Sequence, residues 1–393
     1  MEELRILEVV DNYFPIIDGV VNVVDNYCRI LNGKDGVTCD ALVPWYPKTF
    51  DGGGYKVIRC TSMSGGKYGV RLPLPMLDLR LKKYLKENHY DIIHCHSPVT
   101  LSRTMLRYAR RNNIPVVFTV HTKYHEEINR SVKLKCLQKF ALNFLLYSIR
   151  RMDYVWAVSN GSKECLQQIY KVDAPCEVVK NGTEKIVVEP EKLDLLVKRL
   201  KEKYAISDEV VFSFVGRVVV VKNISMLLET MKLLKEKRLK FKFLIVGDGD
   251  YRKKLEKQAK ELGVDDVVVF VGQVADRELL AAYYKMTDYF LFSSTFDTFS
   301  LSVKEAAMMG TPSLLVKDSS SAEGIVDGEN GFLAELSPEA WANKIYEVQN
   351  NPSVYNKVVS NLDSVYTTWE QMMDVVLEKY KEIVKEGKPK KKA

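Results

Sequence analysis

Two carboxylates, Asp297 and Glu305, bracket a predicted loop and helix late in the chain. Asp297 follows the apolar run Tyr289–Phe292, which predicts a buried strand, and Glu305 lies in a predicted helix over Phe299–Met309. A second apolar run over Ser313–Val316 predicts the next strand. In a parallel sheet such a loop lies at the carboxyl ends of the strands, where ligands bind. Free backbone N–H groups at the helix start suit an anion such as a phosphate.

A simpler interpretation of the same residues stays open. Ser302-Val303-Lys304-Glu305 matches the S-x-x-E capping box, which starts a helix and needs no ligand.

Two cations follow an earlier predicted strand at short spacing. The apolar run Val210–Val215 leads into Gly216 and Arg217, and Lys222 comes five residues after the arginine. Two cations at the mouth of a sheet can stabilise a departing diphosphate without a metal ion. Surface lysines and arginines are common, so their placement directly after a strand carries the prediction.

Histidines follow two other predicted strands. His94 and His96 end the run that begins at Tyr90, and His121 comes directly after Val116–Val120. Alternation would place His94 and His96 on one face of a strand, but no third metal ligand is visible nearby. His121 and His125 are four residues apart, yet they lack the H-E-x-x-H order of a zinc site. We therefore predict no metal site, and the role of His125 stays open.

Together, and in the order in which they occur along the chain, these motifs resemble those of a known enzyme family. The family is the retaining nucleotide-sugar glycosyltransferases with the GT-B fold that are grouped as glycosyltransferase family 4. The matching phrases are E-x7-E at 297–305, G-R-x4-K-N at 216–223, V-G-x-G at 246–249, strand-G-x-V at 272–274, and D-x-I-H-x-H-x-P at 91–98. The phrase from His121 to Glu127 is similar to the H-T-x-Y-E of glucosyl-diacylglycerol synthases, with His125 inserted. The chain departs from the family pattern at Asp297, where Glu is usual, and at Ser300, where Gly is usual.

The resemblance implies roles for the matched residues. Asp297 would orient the donor sugar, and Glu305 would hold the ribose of the nucleotide. His121 would close the sugar site, while Arg217 and Lys222 would bind the departing diphosphate. The loop and helix start would bind that diphosphate through Phe299, Ser300, Leu301 and Ser302. The remaining donor-side positions are Gly19, Gly216, Gly247, Gly249 and Val274.

No nucleophilic side chain stands out, which the resemblance relates to front-face attack assisted by the leaving phosphate. The expected substrate is a nucleoside diphosphate sugar, and no metal or other cofactor is expected.

Alternating strands and helices predict an α/β fold with two doubly wound, Rossmann-like domains. The resemblance adds that they face a cleft, as in GT-B enzymes, and that a C-terminal helix crosses back to the first domain. We predict an acceptor-binding domain over 1–188, joined by helix 365–386, and a nucleotide-sugar-binding domain over 189–364. The basic end, 387–393, is predicted to be disordered.

Composition narrows the class and the compartment. The sequence is 46% hydrophobic and 28% charged, as in globular proteins. No apolar run reaches the ~20 residues of a membrane span. The acidic start leads straight into a strand, unlike a signal peptide. The seven cysteines contain no C-x-x-C pair, which favours free thiols in a reducing cytoplasm.

The net charge of +7 is concentrated in the first half of the chain. Residues 1–188 hold 27 lysines and arginines against 19 aspartates and glutamates, a net of +8. No nucleic-acid-binding motif is present, so no nucleic acid is expected and an anionic membrane surface is the better partner. We expect a cytoplasmic protein, peripheral on the inner face of the cell membrane, and a monomer or homodimer.

A helix predicted within Ser131–Met152 is basic and has no acidic residue. Its apolar stripe fits either a membrane surface or the protein core. We assign Lys123, Tyr124, Lys133, Lys135 and Lys139 to the acceptor or membrane side.

The predicted reaction is transfer of a hexose, expected to be glucose, to a membrane lipid such as diacylglycerol. Alternatives are a polysaccharide or soluble acceptor, or a non-catalytic nucleotide-sugar-binding or partner subunit.

Overall fold

The computed structural model divides the chain into two compact units. The N-terminal unit comprises Met1–Gly182 with Trp369–Ala393, and the C-terminal unit comprises Thr183–Thr368. The sequence placed the boundaries at 188 and 365, a few residues away from both. The structure describes residues 3–16, 19–47, 53–65, 71–297 and 300–389, without the side chains of 130 and 131.

The N-terminal unit alternates strands and helices. Its described elements up to the boundary are β1 (Leu4–Val9), α1 (Gly19–Leu31), β2 (Val37–Pro44), β3 (Val57–Cys60), β4 (Ser62–Ser64), β5 (Arg71–Pro73), α2 (Leu79–Glu87), β6 (Ile92–Cys95), α3 (Thr100–Arg111), β7 (Val116–Val120), α4 (Tyr124–Ser131), α5 (Lys135–Ile149), β8 (Tyr154–Ala157), α6 (Asn160–Glu164) and β9 (Cys176–Val178). The helix predicted within Ser131–Met152 is observed as α5, Lys135–Ile149.

Seven described strands of this unit form one parallel sheet in the order β3-β2-β1-β6-β7-β8-β9. Helices cover both faces, so the central strands are apolar along their length, and all five residues of β7 are buried. The strand order reverses between β1 and β6. The crevice at the carboxyl ends of these two strands is where doubly wound sheets bind ligands.

The C-terminal unit repeats the same plan. Its described elements are α7 (Pro190–Lys203), β10 (Val210–Val215), α8 (Ile224–Glu236), β11 (Phe241–Val246), α9 (Arg252–Glu261), β12 (Val268–Gly272), α10 (Arg277–Lys285), β13 (Tyr289–Phe292), α11 (Leu301–Met308), β14 (Ser313–Val316), β15 (Phe332–Ala334), α12 (Pro338–Gln349) and α13 (Pro352–Ser360). The sheet is parallel in the order β12-β11-β10-β13-β14-β15, which reverses between β10 and β13. Both units are Rossmann-like, which confirms the predicted fold class.

The last helix, α14 (Trp369–Glu386), returns to the N-terminal unit as predicted. It begins at Trp369 rather than 365. Met373, Val376 and Tyr380 pack into the core beside α1 and β2. Val375 of the same helix is exposed. None of the described helices has the length and apolar character that crossing a bilayer requires.

The tail predicted to be disordered, 387–393, begins with residues that form hydrogen bonds in the structure. The carbonyl of Gly387 accepts a hydrogen bond from Tyr154 Oη at 2.8 Å, and Lys388 Nζ donates to the Ala109 carbonyl at 2.9 Å. Disorder is therefore wrong for Gly387 and Lys388, and 390–393 lie outside the described residues.

Gly182 makes room for the start of α14. A Cβ atom added at Gly182 would lie 2.5 Å from the Cα atom of Trp369, which is closer than such contacts allow. We predict that Gly182→Ala displaces the helix start and lowers the unfolding temperature by several degrees, whereas Gly19→Ala is close to neutral, since a Cβ at Gly19 meets no atom within 4 Å. Thermal unfolding of both variants, followed by circular dichroism, checks this. Equal unfolding temperatures would contradict the packing at Gly182.

Candidate active site

In the C-terminal unit, predicted site residues lie at the carboxyl ends of the two strands that flank the order reversal. Arg217 and Lys222 follow β10, and Asp297 follows β13. The two loops are joined, because Ser293 Oγ donates to the Lys222 carbonyl at 2.7 Å and Asn223 Nδ2 donates to the Ser293 carbonyl at 3.1 Å. Asn223 has a left-handed backbone, with φ of 53°, which ends the turn and starts α8.

Lys222 and Asp297 form a close, partly buried ion pair. The Lys222 Nζ atom lies 2.7 Å from each carboxylate oxygen of Asp297. An ammonium group carries hydrogen atoms for three bonds, so this lysine can also donate to a ligand phosphate. Arg217 is exposed, and its guanidinium has no hydrogen-bond partner among the described residues. The ion pair places one predicted diphosphate ligand directly beside the predicted sugar ligand.

Helix α11 begins two residues later than predicted, at Leu301. Ser300 is its N-cap residue but makes no side-chain capping bond, and its oxygen lies 3.2 Å from Ser302 Oγ. Ser302 is inside the helix, so the capping-box interpretation is wrong. The backbone N–H groups of the first turn, at Leu301 and Ser302, lack carbonyl partners within the helix. Phe299 lies outside the described residues.

The departure at Ser300 carries no backbone strain. Its φ of −91° and ψ of 102° fall in the extended region that any residue adopts. A serine therefore fits where the family usually has glycine.

Glu305 is held by two residues that the sequence analysis did not identify. Its Oε1 accepts from Arg277 Nη1 at 2.9 Å, and its Oε2 accepts from Tyr284 Oη at 2.9 Å. Burial, and then the Glu305 charge, raises the pKa of Tyr284 well above its usual range, so the phenol remains a donor. Arg277 and Tyr284 are seven residues apart on α10. That two-turn spacing is the sequence signal that could have revealed them.

Gly247 and Gly249 allow two loops of the C-terminal unit to approach closely. A Cβ at Gly247, whose φ is +137°, would lie 1.9 Å from the Gly216 carbonyl oxygen. One at Gly249 would lie 2.3 Å from that of Val218. Val274 lies two residues after β12, half-buried against the core. The donor roles of Gly216, Gly247, Gly249 and Val274 stay predictions.

In the N-terminal unit, Glu8 joins the two histidines of β6 and its loop. Glu8 and His94 are paired residues of β1 and β6. Glu8 Oε2 lies 2.6 Å from His96 Nε2 and 3.2 Å from His94 Nδ1. Glu8 lies 86 residues before His94, so nothing near the histidines in sequence indicates it. These three residues could offer ligand atoms to a metal ion.

Each of those ligand atoms already has a protein partner, which favours a hydrogen-bond network. Glu8 Oε1 accepts from Tyr380 Oη at 2.8 Å, and Tyr380 Oη also lies 2.5 Å from His94 Nδ1. His94 Nε2 lies 2.7 Å from Thr119 Oγ1. The absence of a metal requirement stays a prediction.

Burial and hydrogen bonds set the charges of this network. Burial alone would raise the pKa of Glu8, but the interactions with His94 and His96 outweigh it and lower that pKa to about 2. Burial, together with His94, lowers the pKa of His96 to about 4 against the opposing effect of Glu8. Glu8 is therefore ionised and His96 neutral at pH 7.

His121 lies at the end of β7, next to this network. Its Nε2 atom is 2.9 Å from His96 Nδ1, and the two rings are stacked. Burial, then the neighbouring histidines, lowers the pKa of His121 well below its usual range. His121 is thus a neutral, half-buried imidazole at a strand end. Gly19 is the first residue of α1, exposed at the start of the helix.

Among the residues assigned to the acceptor or membrane side, one is buried and three are exposed. The ring of Tyr124 is buried in the core near Tyr170, so its assignment to the membrane side is wrong, because little of the ring remains to contact lipid. His125 Nδ1 lies 3.0 Å from Tyr170 Oη, which gives His125 a structural partner. Lys123 is 3.5 Å from Glu126 Oε1. The three other assigned lysines, Lys133, Lys135 and Lys139, are exposed on α5 or just before it.

The fold places the chain among the GT-B glycosyltransferases. A crystal structure of a glycosyltransferase from Rickettsia africae matches with a TM-score of 0.73 at 21% identity, over 98% of this chain and 100% of that one. The family model for group 1 glycosyl transferases matches residues 197–363, and the model for glycosyltransferase family 4 matches residues 17–185.

Curated relatives with similar sequences support the same enzyme class. An alpha-monoglucosyldiacylglycerol synthase of Streptococcus pneumoniae is 31% identical over 79% of this chain and 70% of the relative. A UDP-Gal:alpha-D-GlcNAc-diphosphoundecaprenol alpha-1,3-galactosyltransferase of Escherichia coli is 30% identical over 73% and 75%. This chain belongs to glycosyltransferase family 4 and is a hexosyltransferase.

One further buried carboxylate lies at the order reversal of the N-terminal sheet. Asp11 is the second residue after β1. Its Oδ1 accepts hydrogen bonds from the Leu101 N–H and from Thr100 Oγ1, both at 3.1 Å. Its Oδ2 is buried without a hydrogen-bond partner. Burial outweighs the hydrogen bonds from Leu101 and Thr100 and raises the pKa of Asp11 to about 6 from 3.8.

We predict that Asp11→Asn stabilises the protein most at high pH. A raised pKa means that the folded state favours the protonated acid, so wild-type stability falls as the pH rises from about 4 to 6. The asparagine keeps the acceptor and removes this penalty, which amounts to at most about 3 kcal/mol for such a shift. Urea unfolding of wild type and variant at pH 4 and pH 8 measures the difference. A gain that does not grow with pH would contradict the assignment.

Proposed function

We propose that this chain transfers a hexose, expected to be glucose, from a nucleoside diphosphate sugar to a hydroxyl group of a membrane lipid such as diacylglycerol. The transfer retains the anomeric configuration and needs no metal ion. The protein works at the inner face of the cell membrane, to which it binds peripherally.

The observation that carries the lipid acceptor is an exposed apolar stripe on α5. Leu137, Phe140, Phe144 and Tyr147 recur at helical spacing, and their exposed fractions run from 42% to 70%. Leu134, just before the helix, is also exposed. The core contacts of α5 come from other residues, since Leu146 and Ile149 are buried and Leu142 and Leu145 pack against the core. A large exposed apolar stripe on a basic helix suits a membrane interface.

Three arginines of α3, and one just after α5, lie beside these aromatic rings. Arg103, Arg107, Arg110 and Arg151 surround a pocket of about 440 Å³ that the aromatic rings of α5 also line, with no acidic side chain among its described lining residues. The Arg103 guanidinium lies 3.6 Å from the centre of the Phe144 ring. The arginines suit lipid phosphates, while the apolar side chains suit the acyl region.

The relatives add support. The names of the pneumococcal and Escherichia coli relatives both specify a lipid as the acceptor or its carrier. The two names specify different lipids, so diacylglycerol is the narrower part of the proposal.

The proposed step forms one bond and breaks one. The acceptor oxygen bonds to the anomeric carbon on the face that the leaving phosphate departs from, and the bond between that carbon and the phosphate oxygen breaks. The acceptor proton passes to the departing phosphate. Arg217 and Lys222 stabilise the developing charge on the diphosphate, and Asp297 orients the sugar while its ion pair holds Lys222 in place.

The testing experiment measures nucleoside diphosphate release from UDP-, GDP- and ADP-sugars, with and without anionic vesicles that contain diacylglycerol. The proposal expects release with one donor that increases when the lipid is present. Release that ignores the lipid would support a polysaccharide or soluble acceptor instead. Nucleotide binding without any release would contradict the transferase activity.

We predict that Lys222→Ala lowers kcat by about 10²–10³, because the lysine stabilises charge that develops only in the transition state. Lys240→Ala is the matched control, since Lys240 is also in the C-terminal unit but forms an exposed ion pair with Asp208. Steady-state kinetics with the preferred donor measures both. Unchanged turnover in Lys222→Ala would refute the role of this lysine.

We predict that Phe140→Ser and Leu137→Ser each weaken binding to vesicles of phosphatidylglycerol about tenfold, since each removes an apolar side chain that would enter the lipid. Val187→Ser is the control, because Val187 is even more exposed than Phe140 and Leu137 but lies in the C-terminal unit. Vesicle sedimentation at two salt concentrations measures the affinities. Equal weakening by all three, or binding that ignores salt, would argue against docking through α5.

A further inference from the structure

The network around Glu8 determines which nitrogen of His121 carries the hydrogen atom. A carboxylate can only accept hydrogen bonds. Glu8 Oε2 lies 2.6 Å from His96 Nε2, so His96 Nε2 carries hydrogen and donates it. Tyr380 Oη donates to the other oxygen, Oε1, at 2.8 Å. The carboxylate thereby receives a hydrogen bond on each oxygen inside the core.

The next bond follows from the neutrality of His96. A neutral imidazole has one N–H group and one acceptor nitrogen. Since Nε2 of His96 donates to Glu8, its Nδ1 must accept. The partner at 2.9 Å is His121 Nε2, which therefore carries the hydrogen atom. The hydrogen bonds run in one direction, from His121 through His96 to Glu8.

The same reasoning applied to His121 leaves its Nδ1 as an acceptor. His121 is neutral, and its Nε2 is the donor to His96. Its Nδ1 has no hydrogen-bond partner among the described residues, and the ring is only half-buried. An unpaired acceptor nitrogen at the carboxyl end of a central strand is available to a ligand hydroxyl.

We propose that Glu8, His96 and Tyr380 are positioning residues that fix His121 in its Nε2–H tautomer, so that its Nδ1 accepts a hydrogen bond from a hydroxyl group of the substrate. The nature of that hydroxyl rests on the proposed function, in which a sugar is the ligand. These three positioning residues come from three different elements. Glu8 is on β1, His96 follows β6, and Tyr380 is on α14.

Neighbouring side chains keep the network in place. His94 is fixed on both ring nitrogens by Tyr380 and Thr119. The ring of Tyr380 stacks on Trp156, with centres 5.4 Å apart. Neither Glu8 nor His96 can rotate toward water, because both side chains are fully buried. The orientation of His121 is therefore determined from the core outward.

The test uses the full chain labelled with ¹⁵N-histidine and long-range ¹H–¹⁵N spectra at pH 7. The chain has five histidines, which single substitutions assign. We expect wild-type His96 and His121 to be neutral with hydrogen on Nε2. A doubly protonated His121, or hydrogen on its Nδ1, would overturn the proposal. This measurement needs no substrate, so it stands even if the chain transfers no sugar.

Matched substitutions test the direction of the bonds. In His96→Gln, the amide can still donate to Glu8 and accept from His121, so the His121 shifts should stay close to wild type. In His96→Leu both bonds are lost, and the His121 nitrogens should move toward the average of the two tautomers. Identical His121 spectra in these two variants would overturn the proposal. If His96→Leu does not fold, the wild-type spectrum still decides.

A second pair tests the carboxylate. Glu8→Gln replaces a pure acceptor with an amide that can also donate, so His121 should become a mixture of tautomers. Asp40→Asn is the control, because Asp40 is a buried carboxylate of the same sheet that accepts from Tyr90 at 2.6 Å without contacting these histidines. An unchanged His121 in Glu8→Gln would show that Glu8 does not set the tautomer.

The kinetic counterpart uses UDP-glucose and its deoxyfluoro analogues, since fluorine cannot donate a hydrogen bond. With the wild type, kcat/KM for one analogue should be about tenfold lower than kcat/KM for UDP-glucose, as expected for the loss of one hydrogen bond. With His121→Ala, the ratio of these two values should be close to one. Glu8→Gln should reduce the same ratio. Analogues that all behave alike with an otherwise active enzyme would overturn the substrate contact, while no turnover with any sugar would instead contradict the proposed function.

Discussion

The buried negative charge of Glu8 is the constraint on which the N-terminal unit depends. An ionised carboxylate in a core is strongly unfavourable unless hydrogen bonds compensate it on both oxygens. Here the compensating groups come from His96 and from Tyr380, which lies 372 residues away on the last helix. The end of the chain is thus required by a charge on the first strand. This hydrogen bond adds to the apolar packing of Met373, Val376 and Tyr380 that joins α14 to the N-terminal unit.

In the C-terminal unit, the charged side chains at the site are more exposed than Glu8 is. Lys222 and Asp297 pair at the ends of neighbouring strands, and Glu305 is held by Arg277 and Tyr284 one helix away. Close loop packing through Gly247 and Gly249 fixes the backbone that carries Arg217. Lys222, Asp297 and Glu305, which are predicted to bind the donor, are therefore positioned by contacts within this unit. A glutamate one methylene longer at 297 would have to fold back to keep the same contact with Lys222.

The fold class and the strand-end motifs could be predicted because they depend on local patterns. Apolar runs predicted most of the central strands, and the phrases around Arg217, Lys222 and Glu305 identified the family. Contacts between distant segments could not be predicted in this way. Glu8 looked like one more strand residue, and nothing near it in sequence indicated histidine partners.

The errors have related physical causes. The helical spacing of Ser302 and Glu305 fits a capping box, but Arg277 and Tyr284 bind that glutamate more directly. The apolar stripe of α5 has the same period whether it faces the core or the solvent, so the sequence could not show that Phe140 and its neighbours are exposed. Tyr124 next to charged residues appeared to be a surface residue, yet its ring completes the core around Tyr170.

The most direct test of a retaining transfer to a membrane lipid is the structure of the product. The chain would be incubated with UDP-glucose labelled with ¹³C at the anomeric carbon and with anionic vesicles that contain diacylglycerol. NMR of the extracted lipid would then report the linkage. We predict a glucosyl lipid with the same α configuration as the donor. A β-linked lipid, or labelled sugar found only in water-soluble products, would contradict it.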